Sequence, residues 1–340
     1  MHQIRKPYLL FLGDVTSDIF AKTAHGLKDW CPEDCVAQWR LPDATVDLGL
    51  PDLAPGDAAA AGARSLVVAV APIGGALPAH WVPAITMAVA AGLDIVSGMH
   101  GALADVPAIA AAARQHGVAL HDVRQPPAAI PIATGRRRSG RRLLTVGTDC
   151  ALGKKYTALA IAREMQRQGF DATFRATGQT GILIAGSGLP MDAVVSDFVA
   201  GAAEMLSPDA PADHWDIIEG QGSLFHPAYA GVTLGLIHGS QPDAMVLCHE
   251  PGRTRINGYP DYPVPSLAEA IQGFEAAARL TNKAARVVAI SLNTARLTDT
   301  QREQAIAAAT AETGLPAFDP VASGIAAVVG GFAGALDHAA

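Results

Sequence analysis

The chain alternates short apolar runs with stretches whose apolar positions recur every three or four residues, the pattern of strands joined by crossover helices. In the first third, Tyr8-Leu12, Ser65-Val70, Asp94-Ser97 and Val118-Val123 read as strands, and Asp18-Leu27, Ala79-Ala91 and Val106-His116 as helices. The last two helices stop near Gly92 and Gly117, since glycine tolerates the left-handed turn that often ends a helix. Strand, crossover and strand in this rhythm predict a small doubly wound parallel sheet. No G-x-G-x-x-G follows the first strand, so dinucleotide binding is not expected there.

A second rhythm starts with a strand at Leu143-Val146 and a helix at Lys155-Gln168. Strands follow at Ala172-Ala176, Asp216-Glu219, Ala244-Cys248, Val287-Ser291 and briefly at Ala317, with helices at Met191-Leu206, Ser266-Leu280 and Thr300-Thr313. Between the two rhythms lie a Pro-rich segment, Gln125 to Ile132, and five arginines within Gly135 to Arg142. Together they predict a linker over residues 125–142 between domains at 1–124 and 143–340. Its arginines are either a solvated hinge or a face turned toward an anionic cofactor at the neighbouring loop.

Length agrees with this division, because 340 residues correspond to about two domains. Half the residues are hydrophobic but only 5% are aromatic, which suits buried aliphatic strands and Ala-rich helices and argues against disorder. A net charge of -7 argues against a general polyanion-binding surface and leaves room for a local basic patch, so the expected partner is a small molecule and not nucleic acid. Four cysteines are too few for a disulfide scaffold and point to a reducing, cytoplasmic setting. Cys31 and Cys35 have no second Cys/His pair nearby, and no resident metal is expected. The opening MHQIRKPYLLFLGDV lacks a small-residue cleavage site and reads as a first strand. The apolar stretch Val82 to Val96 is too short to span a bilayer and contains Pro83 and Asp94, so the mean hydropathy of +0.23 reflects packed interior and no membrane partner is expected. A homo-oligomer is expected.

The strongest chemical signal is LLTVGTDCALGKKYTALAIAREM, residues 143–165. An apolar strand enters Gly147, passes Thr148, Asp149, Cys150, Ala151 and Leu152, turns at Gly153-Lys154 and starts an Ala-rich helix with Lys155 and Tyr156. That is the setting of a phosphate-binding loop, in which helix N-H groups and a lysine cradle a diphosphate. Five residues separate the two glycines, one more than usual, and GTDCALGK resembles the loop of dethiobiotin synthetase, which has the same extra residue. The residue after the lysine normally offers a hydroxyl to Mg²⁺. Here it is Lys155, and Thr157 points elsewhere on the helix. The loop therefore looks built to hold a diphosphate that is not hydrolysed, as in coenzyme A.

Other candidate groups fall where strands end, the edge at which open α/β sheets collect chemistry. RATGQTG (175–181) supplies Gln179 and Thr180, and DIIEGQG (216–222) supplies Glu219 with Gly220, Gln221 and Gly222, followed by Ser223 and His226. Residues 248–265 form a long Pro/Gly-rich loop of the lid or substrate-loop kind, bearing His249, Glu250 and Arg253. Asn293 and Asp319 stand where related P-loop proteins read a purine base. In the first domain Asp14, Lys22, Thr23, Gly74, Gly75 and His100 are candidates for the facing wall of a cleft.

VGTDCALGKK, RATGQTGILIAGSGLPMDAVVSDFVAGAAE, IEGQGSLFHPAYAGVTLGL and HEPGRT, with the upstream AKTAHGL and GLDIVSGMH, resemble the DgcN-type D-glutamate N-acetyltransferases over residues 8 to 330. The resemblance implies an α/β chain, with an N-terminal Rossmann-like parallel-sheet domain followed by a P-loop NTPase-like α/β domain. It also implies acetyl transfer from acetyl-CoA to the amino group of D-glutamate, in D-amino-acid catabolism. On that reading Gly147 to Lys155 grip the CoA diphosphate, with Tyr156, Asn293 and Asp319 as further cofactor contacts. Lys22 and Arg253 anchor substrate carboxylates, and His100, Gln179, Thr180 and Gln221 line the substrate. Glu219 or His226 is the base, and N-H groups around Gly220-Ser223 are oxyanion donors. Cys150 lies near a helix N-terminus, but no histidine adjoins it in sequence, so direct transfer is expected over an acyl-cysteine. The alternatives are an ATP/Mg²⁺-dependent carboxylate-activating or amide-forming enzyme of dethiobiotin synthetase type, and a nucleotide-responsive binding protein.

Overall fold

The structure, a computed structural model, describes residues 2–70, 75–99 and 101–337. The chain divides into one unit of Met1–Pro127 with Gly178–Ala193 and another of Ala128–Thr177 with Val194–Ala340.

The first unit is built on a parallel sheet of β1 (Tyr8–Gly13), β2 (Cys35–Arg40), β3 (Ser65–Val68), β4 (Asp94–Ser97) and β5 (Leu120–Asp122), in the order β2-β1-β3-β4-β5. Every residue of β1, β3 and β4 is buried, as expected of parallel strands covered on both faces. The edge strand β2 escapes the apolar pattern because Gln38 and Arg40 interrupt it. Gln38 is nonetheless buried and donates to Asp47 Oδ1 at 2.8 Å. The predicted helix Asp18-Leu27 separates into a turn at Asp18–Phe20 and a helix at Lys22–Trp30. Helices Val82–Ala90 and Pro107–His116 follow, the latter ending at Gly117 with φ 67°.

Residues 178–193 return to this unit, although the sequence pattern assigns them to the C-terminal domain. They form a helix at Gln179–Ala185, where a loop is expected. Leu183 O accepts from Tyr8 Oη at 2.9 Å and Ile184 O from Lys6 Nζ at 2.8 Å. The predicted helix Met191-Leu206 therefore breaks into turns at Met191–Ala193 and Ser196–Phe198 before helix Val199–Leu206, with Val195 extended between them.

The second unit contains six parallel strands, β6 (Arg141–Gly147), β7 (Ala172–Arg175), β8 (Trp215–Ile218), β9 (Ala244–His249), β10 (Arg286–Leu292) and β11 (Ala317–Phe318). Their order is β11-β10-β9-β6-β8-β7, so the chain crosses to opposite sides of β6 and creates a switch point at its carboxyl end. Helix Lys154–Arg167 packs Ala158, Ile161, Ala162 and Met165 against a core containing Leu143, Ile217, Val246 and Ala289. Helices Val199–Leu206 and Ala230–Ser240 approach so closely that a methyl at Gly239 would overlap the Ala200 main chain. The second of these helices carries three glycines, which hide it from a propensity reading. Helices Leu267–Ala278 and Asp299–Thr313 start with reciprocal caps, Ser266 with Glu269 and Thr298 with Gln301.

The expected linker is packed into this unit from Ala128 onward. Arg142 is buried and donates to Ser207 Oγ and to the carbonyls of Arg138, Ser139, Gly140 and Pro208. Arg136 pairs with Asp209, Arg137 with Asp243, and Arg138 donates to Gly239 O. Arg141 and Arg142 open β6, whereas the phosphate loop follows its last residue, about 20 Å away along an extended strand. These arginines brace the amino end of the sheet and do not face a cofactor at the loop. Among the described residues, no helix is long and apolar enough to cross a membrane.

Candidate functional site

The site grows from the end of β6. Gly147 leaves the strand where its missing Cβ makes room, since that atom would lie 3.3 Å from Lys154 Nζ and 3.1 Å from Asp149 O. Thr148 N-H donates to Cys248 O at 3.1 Å, tying the loop to β9. Gly153 (φ 105°) makes the final turn into the helix. Lys154 is buried, and its ammonium donates to Asp149 O at 2.9 Å. Burial pulls its pKa below the ordinary lysine value.

Asp149 is fully buried and saturated. Its Oδ1 accepts from Cys150 N-H at 2.6 Å, and its Oδ2 from Arg253 Nη1 and Asn257 N-H, both at 2.8 Å. Arg253 also donates to Cys150 O at 2.9 Å and pairs with Glu250. The segment after β9 is an ordered hairpin, pairing Arg255–Ile256 with Tyr259–Pro263 and fastened to the phosphate loop by Arg253. Arg253 was expected to clamp a substrate carboxylate, but its guanidinium already holds two protein carboxylates. His249 Nδ1 adds a 3.0 Å hydrogen bond with Thr148 Oγ1.

Position 155 carries a lysine where a magnesium-binding loop has its hydroxyl. Thr157 turns into the sheet, where its hydroxyl shares a 2.8 Å hydrogen bond with Ser291 Oγ and accepts from Cys248 Sγ. Lys155 is half-buried, and burial lowers its pKa while the charge of Glu219 works in the opposite direction. Glu219 is buried at the end of β8, with Oε2 accepting Thr177 N-H at 2.9 Å. Lys155 thus stands where such a loop has its hydroxyl, within the electrostatic reach of Glu219.

Gly220 must be glycine, because a Cβ there would overlap Thr145 O. Its N-H donates to Thr145 Oγ1 at 2.9 Å, so it is not available as an oxyanion donor. Gln221 Nε2 donates to Thr177 Oγ1 at 3.1 Å, Gly222 has φ 66°, and the buried Ser223 Oγ accepts from Phe225 N-H.

Tertiary structure brings His226 to the loop. One of its ring nitrogens, the Cys150 Sγ and an Asp149 carboxylate oxygen lie within 4.8 Å of one another. His226 Nδ1 accepts Ala228 N-H at 3.1 Å, so the neutral ring carries its proton on Nε2. That tautomer presents a donor at Nε2. Both Asp149 oxygens are occupied, and Lys154 and Arg253 add positive charge, so the trio is poorly suited to a cation. Burial raises the Cys150 thiol pKa, with Lys154 acting against it. Cys150 is therefore not an activated nucleophile of the low-pKa kind.

Asn293 and Asp319 follow β10 and β11 as expected. However, Asp319 is saturated by the Thr294 hydroxyl and by the N-H groups of Thr294, Val321 and Ala322, and it braces a turn. Asn293 Oδ1 accepts from Ala295 N-H. Lys22, Gln179 and Thr180 belong to the first unit. Lys22 is exposed there, while the Gln179 amide donates to Gly98 O and accepts from Arg124. His100 and Gly74 lie outside the described residues.

Residues 131–329 match the family model described as the DUF1611 C-terminal P-loop domain, and residues 39–126 match its N-terminal Rossmann-like domain. A D-glutamate N-acetyltransferase from Tritonibacter scottomollicae is 49% identical over 326 residues, covering 96% of this chain and 98% of the relative. One from a Pseudoalteromonas species is 46% identical over 327 residues, with the same coverage of 96% and 98%. The crystal structure of a DUF1611 family protein from Anabaena variabilis is similar at a TM-score of 0.83 and 34% identity, covering 98% of this chain and 100% of that one.

Proposed function

This chain belongs to the DUF1611 family, and from that premise we propose that it is a D-glutamate N-acetyltransferase drawing its acetyl group from acetyl-CoA. The similarity to two enzymes of that name over nearly the full chain supports the activity. The observation that carries the cofactor is Lys155 in the field of Glu219, where a P-loop hydrolase has a hydroxyl for Mg²⁺. Acetyl transfer needs no phosphate cleavage. It needs a held diphosphate, a bound dicarboxylate, removal of the ammonium proton and stabilisation of the tetrahedral oxyanion.

In this reading Lys154, Lys155 and the helix N-terminus bind the diphosphate of CoA, and the His226 Nε2-H is an additional donor to it. In CoA the thioester lies a whole pantetheine arm from the diphosphate. Glu219 and His226 both stand beside the loop and therefore serve the diphosphate end, Glu219 through the field of its charge on Lys155. The same separation favours direct transfer, because Cys150 also lies beside the diphosphate. The setting we propose is D-amino-acid catabolism in the cytoplasm.

Two measurements test the proposal. Release of free thiol from acetyl-CoA should depend on D-glutamate, and calorimetric titration should show CoA binding without metal. Mg²⁺-dependent binding of ATP with no binding of CoA would overturn it in favour of an ATP-using enzyme.

A further inference from the structure

The chain has only five tyrosines, and three of them are linked to His226 by ring contacts, Tyr229 and Tyr259 directly and Tyr262 through Tyr259. The His226 ring lies 4.5 Å from Tyr229 and 5.0 Å from Tyr259, and Tyr259 lies 6.1 Å from Tyr262. At one end His226 is buried against the phosphate loop. Tyr229 and Tyr262 are 54% and 51% exposed. The hairpin carrying Tyr259 and Tyr262 is held to the loop by Asn257 N-H and Arg253, both on Asp149 Oδ2. An aromatic strip thus starts at the phosphate loop and reaches solvent.

Core packing accounts for the buried His226 but not for two half-exposed rings beside an anion-binding loop. Tyrosine offers an apolar face with a polar tip, which suits a ligand that alternates methylene and amide groups. We propose that Tyr229, Tyr259 and Tyr262 form the surface over which the pantetheine arm of CoA lies. This rests on the reading that the phosphate loop holds the CoA diphosphate, and it extends that site by a subsite for the arm.

The test compares CoA with 3'-phospho-ADP, which keeps the diphosphate and lacks the arm, by titration of the full chain. Tyr229→Ala and Tyr262→Ala each remove a half-exposed ring, the first packed on His226 and the second on Tyr259. Each should weaken CoA binding about five- to twentyfold and leave 3'-phospho-ADP binding unchanged, as expected from losing part of one aromatic contact. Equal loss for both ligands, or undiminished CoA binding in both variants, would overturn the proposal while leaving the phosphate-loop reading intact. Failure of the unsubstituted protein to bind either ligand would instead overturn that reading, and the arm subsite with it.

Discussion

The ammonium of Lys154 donates to the main-chain oxygen of Asp149 at 2.9 Å, so the phosphate loop is closed on its own lysine. On the proposed reading, a bound diphosphate takes over this cation. Burial keeps the Lys154 pKa low, and that of Lys155 as well, and a neighbouring anion raises both. CoA binding should therefore take up protons at alkaline pH, and affinity should fall as pH rises through the lowered values of the free protein. Calorimetry in buffers of different ionisation enthalpy measures the uptake. In Lys154→Ala the uptake should shrink, and CoA affinity should drop about ten- to hundredfold through loss of a charge-assisted contact.

Lys155→Thr restores the hydroxyl of a magnesium-binding loop opposite Glu219. The variant should bind CoA more weakly without metal and acquire Mg²⁺-dependent binding of ATP, both read by titration. Metal-independent CoA affinity equal to that of the unsubstituted protein would show that the second ammonium does not bind the diphosphate.

Arg253 and Asp149 form a pair whose carboxylate is wholly buried. Arg253→Leu strands that charge and should cost about 3–5 kcal/mol in urea unfolding. Adding Asp149→Asn should recover much of the loss, because the wholly buried carboxylate is then neutral, while Glu250 keeps Arg296 at 3.7 Å. A double variant as unstable as the single one would indicate that Arg253 acts mainly through packing.

Gly220→Ala drives a methyl into the Thr145 carbonyl and should lower the yield of folded protein or the melting temperature sharply. Gly231→Ala, in helix Ala230–Ser240 with open space at its Cβ, should raise stability by about 0.5–1 kcal/mol. Thermal unfolding of the two variants separates steric demand from ordinary glycine flexibility.

The sequence by itself determined two α/β domains, the phosphate loop from Gly147 to Lys155 and the absence of a hydroxyl after its lysine. These are local properties, carried by hydrophobic period and by the spacing of neighbouring residues. Only the tertiary structure decided which distant groups meet. It returned Gln179–Ala185 to the first unit, drew the linker arginines to the amino end of the second sheet and turned Arg253 onto Asp149. It also placed His226 against the phosphate loop and ran the tyrosine strip outward from His226. An isolated arginine or histidine codon does not specify its partner. The partner is set by which strand ends lie side by side, and the order β11-β10-β9-β6-β8-β7 sets β8 and β9, with the loops that follow them, on either side of the strand that ends in the phosphate loop.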